Sequence, residues 1–501
     1  MRFAIDTYQL IPSPLLKTRP ETKTISQIDS LPHIPLQPSF SFNHELQRYL
    51  SGKQLLLEEL PFPLKEIQEH YQNGYLIYRK ALIQNGRQKE CLRCGTKDHR
   101  WFSTFPCARC GENCVYCRQC LMMGRVSSCT PLISWVGPLP EIEGSVKDQE
   151  LLQWTGTLSA GQQHASNAVV HATRQQTELL VWAVCGAGKT EVLFKGIEQA
   201  LHQGGRVCIA TPRTDVVLEL TPRIKAVFPD IEVASLYGGS EDRHKYSRLT
   251  IATTHQLLRF YQAFDTVIVD EVDAFPYSVD STLQFAVQQA RKTGSTMIYL
   301  TATPSSTWQR ECRQGKREFV TIPARYHRKP LPVPKFVWCG NWGKKLANKA
   351  LPDNFVHWVK KRIEKNKQAL IFAPKIASME LILPLLRNYH PNIEAVHAED
   401  PHRKEKVNSM RNKEILILLT TTILERGVTF PNIDVAVLGA EDSIFTESAL
   451  VQIAGRAGRS AQFPNGEVTF FHYGKTEAMV LAQKQIVSMN KEGYKKGLLD
   501  E

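Results

Sequence analysis

Three short segments place reactive side chains at spacings that suit chemistry on a nucleotide. The first, GAGKTE (186–191), follows the apolar run LLVWAVC (179–185) and precedes a helical pattern. Strand, glycine loop and helix are the context that a phosphate-binding loop requires. Gly186 and Gly188 let backbone N–H groups turn toward phosphates. Lys189 is expected to reach the β- and γ-phosphates, and Thr190 to ligate Mg²⁺. The full form G-x-x-x-x-G-K-[ST] begins with glycine, whereas Ala183 stands there in this chain. The second segment, TVIVDEVDAF (266–275), is an apolar strand ending in acids. Asp270 is expected to hold Mg²⁺, directly or through water, and Glu271 to orient or deprotonate an attacking water. The third, QIAGRAGR (452–459), sets Arg456 and Arg459 one helical turn apart. A site needing all three is split along the chain, so it can open and close with its nucleotide.

The cysteines suggest different chemistry. Of twelve, eight crowd residues 91–129, while Cys185, Cys208, Cys312 and Cys339 are scattered and read as buried apolar fillers. Cys91-x-x-Cys94 and Cys117-x-x-Cys120 have the spacing of two knuckles sharing one structural zinc. Cys107, Cys110, Cys114 and Cys129 either form a second, interleaved zinc site, supply replacement ligands, or bind no metal. Residues 79–126 carry ten Lys or Arg against three acids. That is over half of the chain's formal net charge of +13. Trp101, Phe102, Phe105 and Tyr116 are interleaved with these cations. Such aromatics suit base stacking on single strands, although at least two of the four are expected in the small core of a metal-stapled module.

The elements that must position these groups follow from hydrophobic pattern. From about residue 150, short apolar strands alternate with helices, and a proline-rich stretch, RYHRKPLPVPKF (325–336), separates two blocks of this rhythm. Alternation of this kind gives parallel sheets with helices on both faces. The predicted organisation is an extended arm and helical region (1–86), a four-cysteine zinc module (87–130) and two α/β domains (150–325 and 335–490). No apolar run reaches the roughly 18 residues of a membrane span. The N-terminal residues lack the pattern of a signal peptide, so a cytoplasmic protein is expected. The positive charge excess points to a polyanionic partner.

Taken in order, the motifs resemble those of superfamily 2 helicases and translocases. LSAGQQ (158–163) looks like the glutamine motif, with Gln162 or Gln163 placed to read adenine. GAGKT resembles motif I, ATPRTD (210–215) motif Ia, TTHQLLRF (253–260) motif Ib, and DEVD (270–273) motif II. TATP (301–304), TTTILERGVTFP (420–431) and QIAGRAGR resemble motifs III, V and VI. The resemblance implies two tandem RecA-like domains. It implies an ATP contact set of Gln162, Gly186, Ala187, Gly188, Lys189, Thr190, Glu191 and Gly427. It makes Arg459 and Arg456 arginine fingers and puts Gln452 on phosphate or the attacking water. Arg213, Thr254, His255, Gln256, Arg259 and Thr421 become candidates for holding a nucleic-acid backbone.

Two families of this superfamily carry a cysteine module. In the PriA replication-restart helicases it is inserted late in the motor. In the ComFA motors of bacterial DNA uptake it precedes motif I, as here, and YCRQCLMMGR (116–125) is similar to that family. The resemblance implies an ATPase that translocates on single-stranded DNA, using Mg²⁺ with ATP and one or two Zn²⁺. It also implies ComFC, DprA and the membrane channel ComEC as partners, and a position at the inner face of the cell membrane. The alternatives are a PriA-like helicase that unwinds duplex and, from another class, a zinc-dependent DNA-binding scaffold with a silent ATP site.

Overall fold

A computed structural model describes residues 1–6, 9–86, 88–141, 150–426 and 428–500. Its two large sheets are built from the apolar, β-branched runs of the sequence. The first has strands β1 (Glu178–Ala183), β2 (Val207–Thr211), β3 (Val233–Leu236), β4 (Leu249–Thr253), β5 (Phe264–Val269), β6 (Arg291–Thr301) and β7 (Phe319–Ile322). Their order across the sheet is β3-β4-β2-β5-β6-β1-β7. Ile209 in β2 lies beside Ile251 on one side and Ile268 on the other, both in parallel ladders. Every residue of β2, β3 and β4 is buried, as continuous apolar strands covered on both faces must be.

The second sheet comprises β8 (Lys335–Trp338), β9 (Ala369–Phe372), β10 (Ile393–Val396), β11 (Ile417–Thr420), β12 (Asp434–Leu438) and β13 (Val468–His472). Its order is β8-β13-β12-β9-β11-β10, with parallel ladders throughout. Phe355, Ile371, Ile382, Leu419, Leu438 and Phe471 pack in its core. Strand β8 begins inside the proline-rich stretch read as a linker; the prolines end at Pro334, and KFVW then pairs at the sheet edge.

The N-terminal region departs from the expected arm. Arg2–Asp6 pairs antiparallel with Gln9–Pro12 and with Lys23–Thr24. Phe3, Leu10 and Ile25 join Leu46, Ile67, Tyr71 and Trp135 in a separate core. The Met1 ammonium donates to the Cys129 carbonyl at 3.0 Å. The proline count concealed an apolar residue every few positions, enough to bury a small sheet. The C-terminal residues are likewise tied down: Leu499 is buried and Asp500 pairs with Arg328 at 2.7 Å.

The chain forms two compact units. One comprises residues 1–155, 170–178 and 195–299, the other residues 156–169, 179–194 and 300–501. Among the described residues, no helix is long and apolar enough to cross a membrane.

Candidate nucleotide and nucleic-acid sites

In the second unit, the phosphate loop connects buried β1 to the helix Lys189–His202. Gly186 and Gly188 adopt φ of 80° and 70°, the left-handed region that a side chain disfavours. A Cβ on Gly188 would stand 2.3 Å from Gln162 Nε2. Gln162 explains the crowding: its amide donates to the Ala187 carbonyl at 2.8 Å, and its oxygen accepts from Ser159 N–H at 2.8 Å. Gln162 therefore braces the loop. Its amide is engaged within the protein. Gln163 is exposed and donates to Asn167 at 2.8 Å. Lys189 and Thr190 open the helix, where free N–H groups and the helix dipole favour an anion.

QIAGRAGR belongs to the same unit and packs on this loop. The helix Glu447–Ala454, capped by Thr446, presents Gln452, whose Oε1 accepts from the Cys185 thiol at 3.0 Å. A Cβ on Gly455 would lie 2.5 Å from Cys185 Cβ, so glycine is the residue that allows the approach. Cys185, read from sequence as filler, is thus a contact between the two motifs. Arg325 completes the brace. Its guanidinium donates to the Gly455 carbonyl at 3.1 Å and to that of Gly458, while its stem lies 3.7 Å from the Cβ position of Gly186. Burial and the Arg459 guanidinium pull Arg325 down to about 10. No motif marked this residue, which sits in the stretch read as linker.

Arg456 lies inward of Arg459. It is buried, and its guanidinium donates to the carbonyls of Glu425, at 2.8 Å, and Val428. It holds the 420–431 loop from within, because the helix ends at Ala454 and the turn that follows carries it inward. Arg459 is half-buried, with contacts to Gly455 O at 3.1 Å and Thr429 Oγ1 at 3.4 Å. Thr303 donates to Ser448 at 2.8 Å, and Arg426 reaches the same hydroxyl at 3.1 Å. Segments TATP, 420–431 and QIAGRAGR thereby share one hydrogen-bond network. Thr421 is half-buried, and its carbonyl accepts from the Thr420 hydroxyl. Gly427 lies outside the described residues.

These residues fit a nucleotide polyphosphate. Arg325 Nε and Gln452 Nε2 are buried donors with no partner among the described residues. Buried donors are normally satisfied, and an anion in the loop would satisfy such groups.

In the first unit, β5 ends at Val269 and is followed by Asp270, whose N–H donates to the Ala210 carbonyl at 2.8 Å. The Asp270 carboxylate accepts from Glu271 N–H at 2.8 Å. Glu271 has φ of 55°, uncommon for a residue with a side chain and typical of strained functional positions. Arg213 makes a paired contact to Asp215 at 3.2 and 3.1 Å. The segment Thr254–Arg259 is a 3₁₀ turn whose inward side buries Thr254, Gln256, Leu257 and Leu258. The side chains of Thr254 and Gln256 are buried, and His255 is the exposed member. Arg259 is ion-paired to Glu59 at 2.7 Å and donates to Gln256 at 2.7 Å.

The eight clustered cysteines form two tetrads, Cys91/Cys94/Cys117/Cys120 and Cys107/Cys110/Cys114/Cys129. All are buried, with the four sulfurs of each within 4.8 Å of one another. In the first, Cys91–Cys120 and Cys94–Cys117 sulfurs are 3.7 and 3.6 Å apart. Tetrahedral zinc at about 2.3 Å from each thiolate needs sulfur separations of about 3.8 Å, so the donor set fits. Both knuckles turn alike: Gly95 N–H donates to Cys91 O and Gly111 N–H to Cys107 O, each at 2.8 Å. Hydrogen bonds among these thiols push Cys94 and Cys117 down and Cys91 and Cys120 up.

The first knuckle is wedged against the α/β part of its unit. Arg93 is fully buried, reaching Glu59 at 3.3 Å and the Leu258 carbonyl at 3.4 Å. Gln289 donates to Leu92 O at 2.9 Å, and a Cβ on Gly95 would meet Phe285 at 2.5 Å. Of the aromatics, Phe102 is buried, and Phe105 contacts Tyr116 edge-on under the Arg125 guanidinium. Trp101 is exposed. Glu59 and Arg93 carried no motif signal; the glutamate's role depends on a contact 200 residues away.

Residues 37–134 match the family model described as competence protein ComFA N-terminal domain. Residues 155–306 match type III restriction enzyme, res subunit, and residues 349–461 match helicase conserved C-terminal domain. The competence protein ComFA of Bacillus subtilis (strain 168) is 51% identical over 458 residues, covering 91% of this chain and 98% of that protein. The competence protein ComFA of Streptococcus pneumoniae (strain ATCC BAA-255 / R6) is 40% identical over 379 residues, 75% of this chain and 86% of its own length. Among solved structures, the DEAD-box helicase Mss116 bound to ssRNA and UDP-BeF superposes with a TM-score of 0.50. It is 16% identical and covers 70% of this chain and 84% of its own, a likeness of fold.

Proposed function

The chain belongs to the ComFA family of competence proteins, and from that premise we propose that it is an ATP-driven translocase on single-stranded DNA that powers import of transforming DNA. The observation that carries the motor reading is the packing of QIAGRAGR on the phosphate loop, through Cys185–Gln452 and the Arg325 brace. A helicase-type ATPase needs its arginines delivered to the loop that holds the phosphates, so that charge developing on the transferred phosphoryl group is met by a guanidinium.

In this reading Gly186, Ala187, Gly188, Lys189 and Thr190 cradle the triphosphate, with Glu191 in the first helical turn behind them. Mg²⁺, when bound, neutralises phosphate charge; Thr190 and Asp270 are the residues that would hold it. Glu271 orients the attacking water. Arg459 faces the γ-phosphate. Arg456, Gln162 and Arg325 keep the surrounding loops in register. We assign residues 1–86 to an N-terminal region of sheet and helices, residues 87–130 to the cysteine module, and residues 150–325 and 335–490 to the two motor domains. Zinc is assigned to both cysteine tetrads. The protein acts from the cytoplasmic side of the membrane; ComFC, DprA and ComEC are the partners implied by family.

The test is ATP turnover by the purified chain with and without an oligothymidylate. Turnover should rise with the oligomer and vanish in Lys189→Ala and Glu271→Gln. Full turnover in either variant would remove the site assignment.

A further inference from the structure

Beside the Thr254–Arg259 turn lies a cavity of about 260 Å³ whose walls come from the N-terminal region and from the first α/β domain, within one compact unit. Lys53 is at its base. The residue is 3% exposed, and its backbone forms an isolated antiparallel bridge with Phe260. Its ammonium donates to the Arg243 carbonyl at 2.9 Å and sits 5.4 Å over the Tyr49 ring. Among the described residues, no carboxylate lies within ion-pair distance of it. The two nearby acids are engaged elsewhere: Glu59 by Arg93 and Arg259, Glu58 by Arg109.

A buried cation without a counter-ion is costly. Burial and the guanidiniums of Arg206 and Arg259 push Lys53 down to about 7. An anion entering the cavity would offset that cost. Arg243, exposed on the lining, adds positive charge, while Arg259 on the wall is ion-paired to Glu59, which lines the cavity together with Glu58. His244 stacks on Tyr49 with centroids 4.8 Å apart, forming an aromatic shelf beside the cations. Cations next to an aromatic face are what a phosphodiester with its neighbouring base requires.

We propose that this cavity is a phosphate-binding subsite centred on Lys53, through which the N-terminal region extends the nucleic-acid track of the motor. The proposal rests on the translocase reading in taking the DNA backbone as the source of the phosphate. Gln256 and Arg259 of the same turn line the cavity, which makes the backbone the favoured source over free phosphate.

The experiment uses the full-length chain and a fluorescein-labelled oligothymidylate, with affinity read by anisotropy across a salt series. Lys53→Met keeps the bulk of the side chain and removes the charge. It should weaken binding several-fold and flatten the dependence of log K on log salt by about 0.7, the loss of one phosphate contact on a single strand. Arg243→Ser, at an exposed position, should weaken binding in the same direction and covers the case of a poorly folded Lys53→Met. Unchanged affinity and salt slope in a Lys53→Met protein that melts no lower than the parent overturns the proposal. Inorganic phosphate is the second arm. If it raises the melting temperature of the parent and not of Lys53→Met, while both bind the oligomer equally, the site takes free phosphate. If the parent fails to bind the oligomer at all, the translocase reading fails separately, and the phosphate arm still decides the site.

Discussion

At the scale of single residues, the side chains most exposed to misreading are the charged ones. Arg456 and Arg459 are equivalent in sequence, yet one is spent on backbone carbonyls and the other keeps access to solvent. Arg325 shows the converse, an unmarked residue bridging two motifs. Arg325→Ala removes one donor from each of the Gly455 and Gly458 carbonyls, which keep Arg459 and His327 respectively, at about 0.5–1.5 kcal/mol for each hydrogen bond lost. The expected result is a lower melting temperature together with a fall in ATP turnover. Arg325→Lys should not restore turnover, since an ammonium cannot span two carbonyls as a planar guanidinium does. Turnover at the parental rate in Arg325→Ala would show that the brace is dispensable. Glu59 sits between Arg93 and Arg259. Glu59→Ala strands two largely buried guanidiniums, and the cost of breaking such a pair is about 3–5 kcal/mol. Urea denaturation measures it, and a loss under about 1 kcal/mol would mean solvent replaces the carboxylate.

At the scale of elements, two strand pairs and the segments joining them carry five of the eight clustered cysteines. Leu82–Asn85 pairs with Gln88–Cys91, and Phe102–Pro106 with Asn113–Cys117. The pairing interleaves the ligands: Cys114 and Cys117 lie on one strand but belong to different tetrads. Because the tetrads are separate, Cys91→Ser should lower bound zinc by about one ion per chain and Cys107→Ser by another one, each with four thiolates to a site. Metal analysis of the purified variants decides this, and no change with Cys107→Ser would limit zinc to the first tetrad. The spacing of CxxC pairs made the first tetrad readable. The second could not be separated from spare ligands, since strand register is a tertiary fact. The same limit applied to the N-terminal strands, whose short apolar runs have partners far along the chain.

At the scale of the whole molecule, the motor and its N-terminal region are expected to act on one strand. Single-stranded DNA should therefore stimulate ATP turnover more than blunt duplex, and stimulation should fall steeply with salt because phosphate contacts release counterions. Equal stimulation by duplex would favour a duplex-tracking helicase. Both parallel sheets, the phosphate loop, the acidic strand end and QIAGRAGR were legible from the chain alone. Continuous apolar strands and glycine spacing are local properties, set by backbone geometry and by the need to cover both faces of a parallel sheet. What only the tertiary structure decided was the partnering of polar groups: Gln162 on Ala187, Arg456 on Glu425, Arg93 and Arg259 on Glu59, and Lys53 on the Arg243 carbonyl. A buried charge is settled by whatever the fold brings within about 4 Å, and residues far apart in sequence carry no local pattern that announces such a meeting.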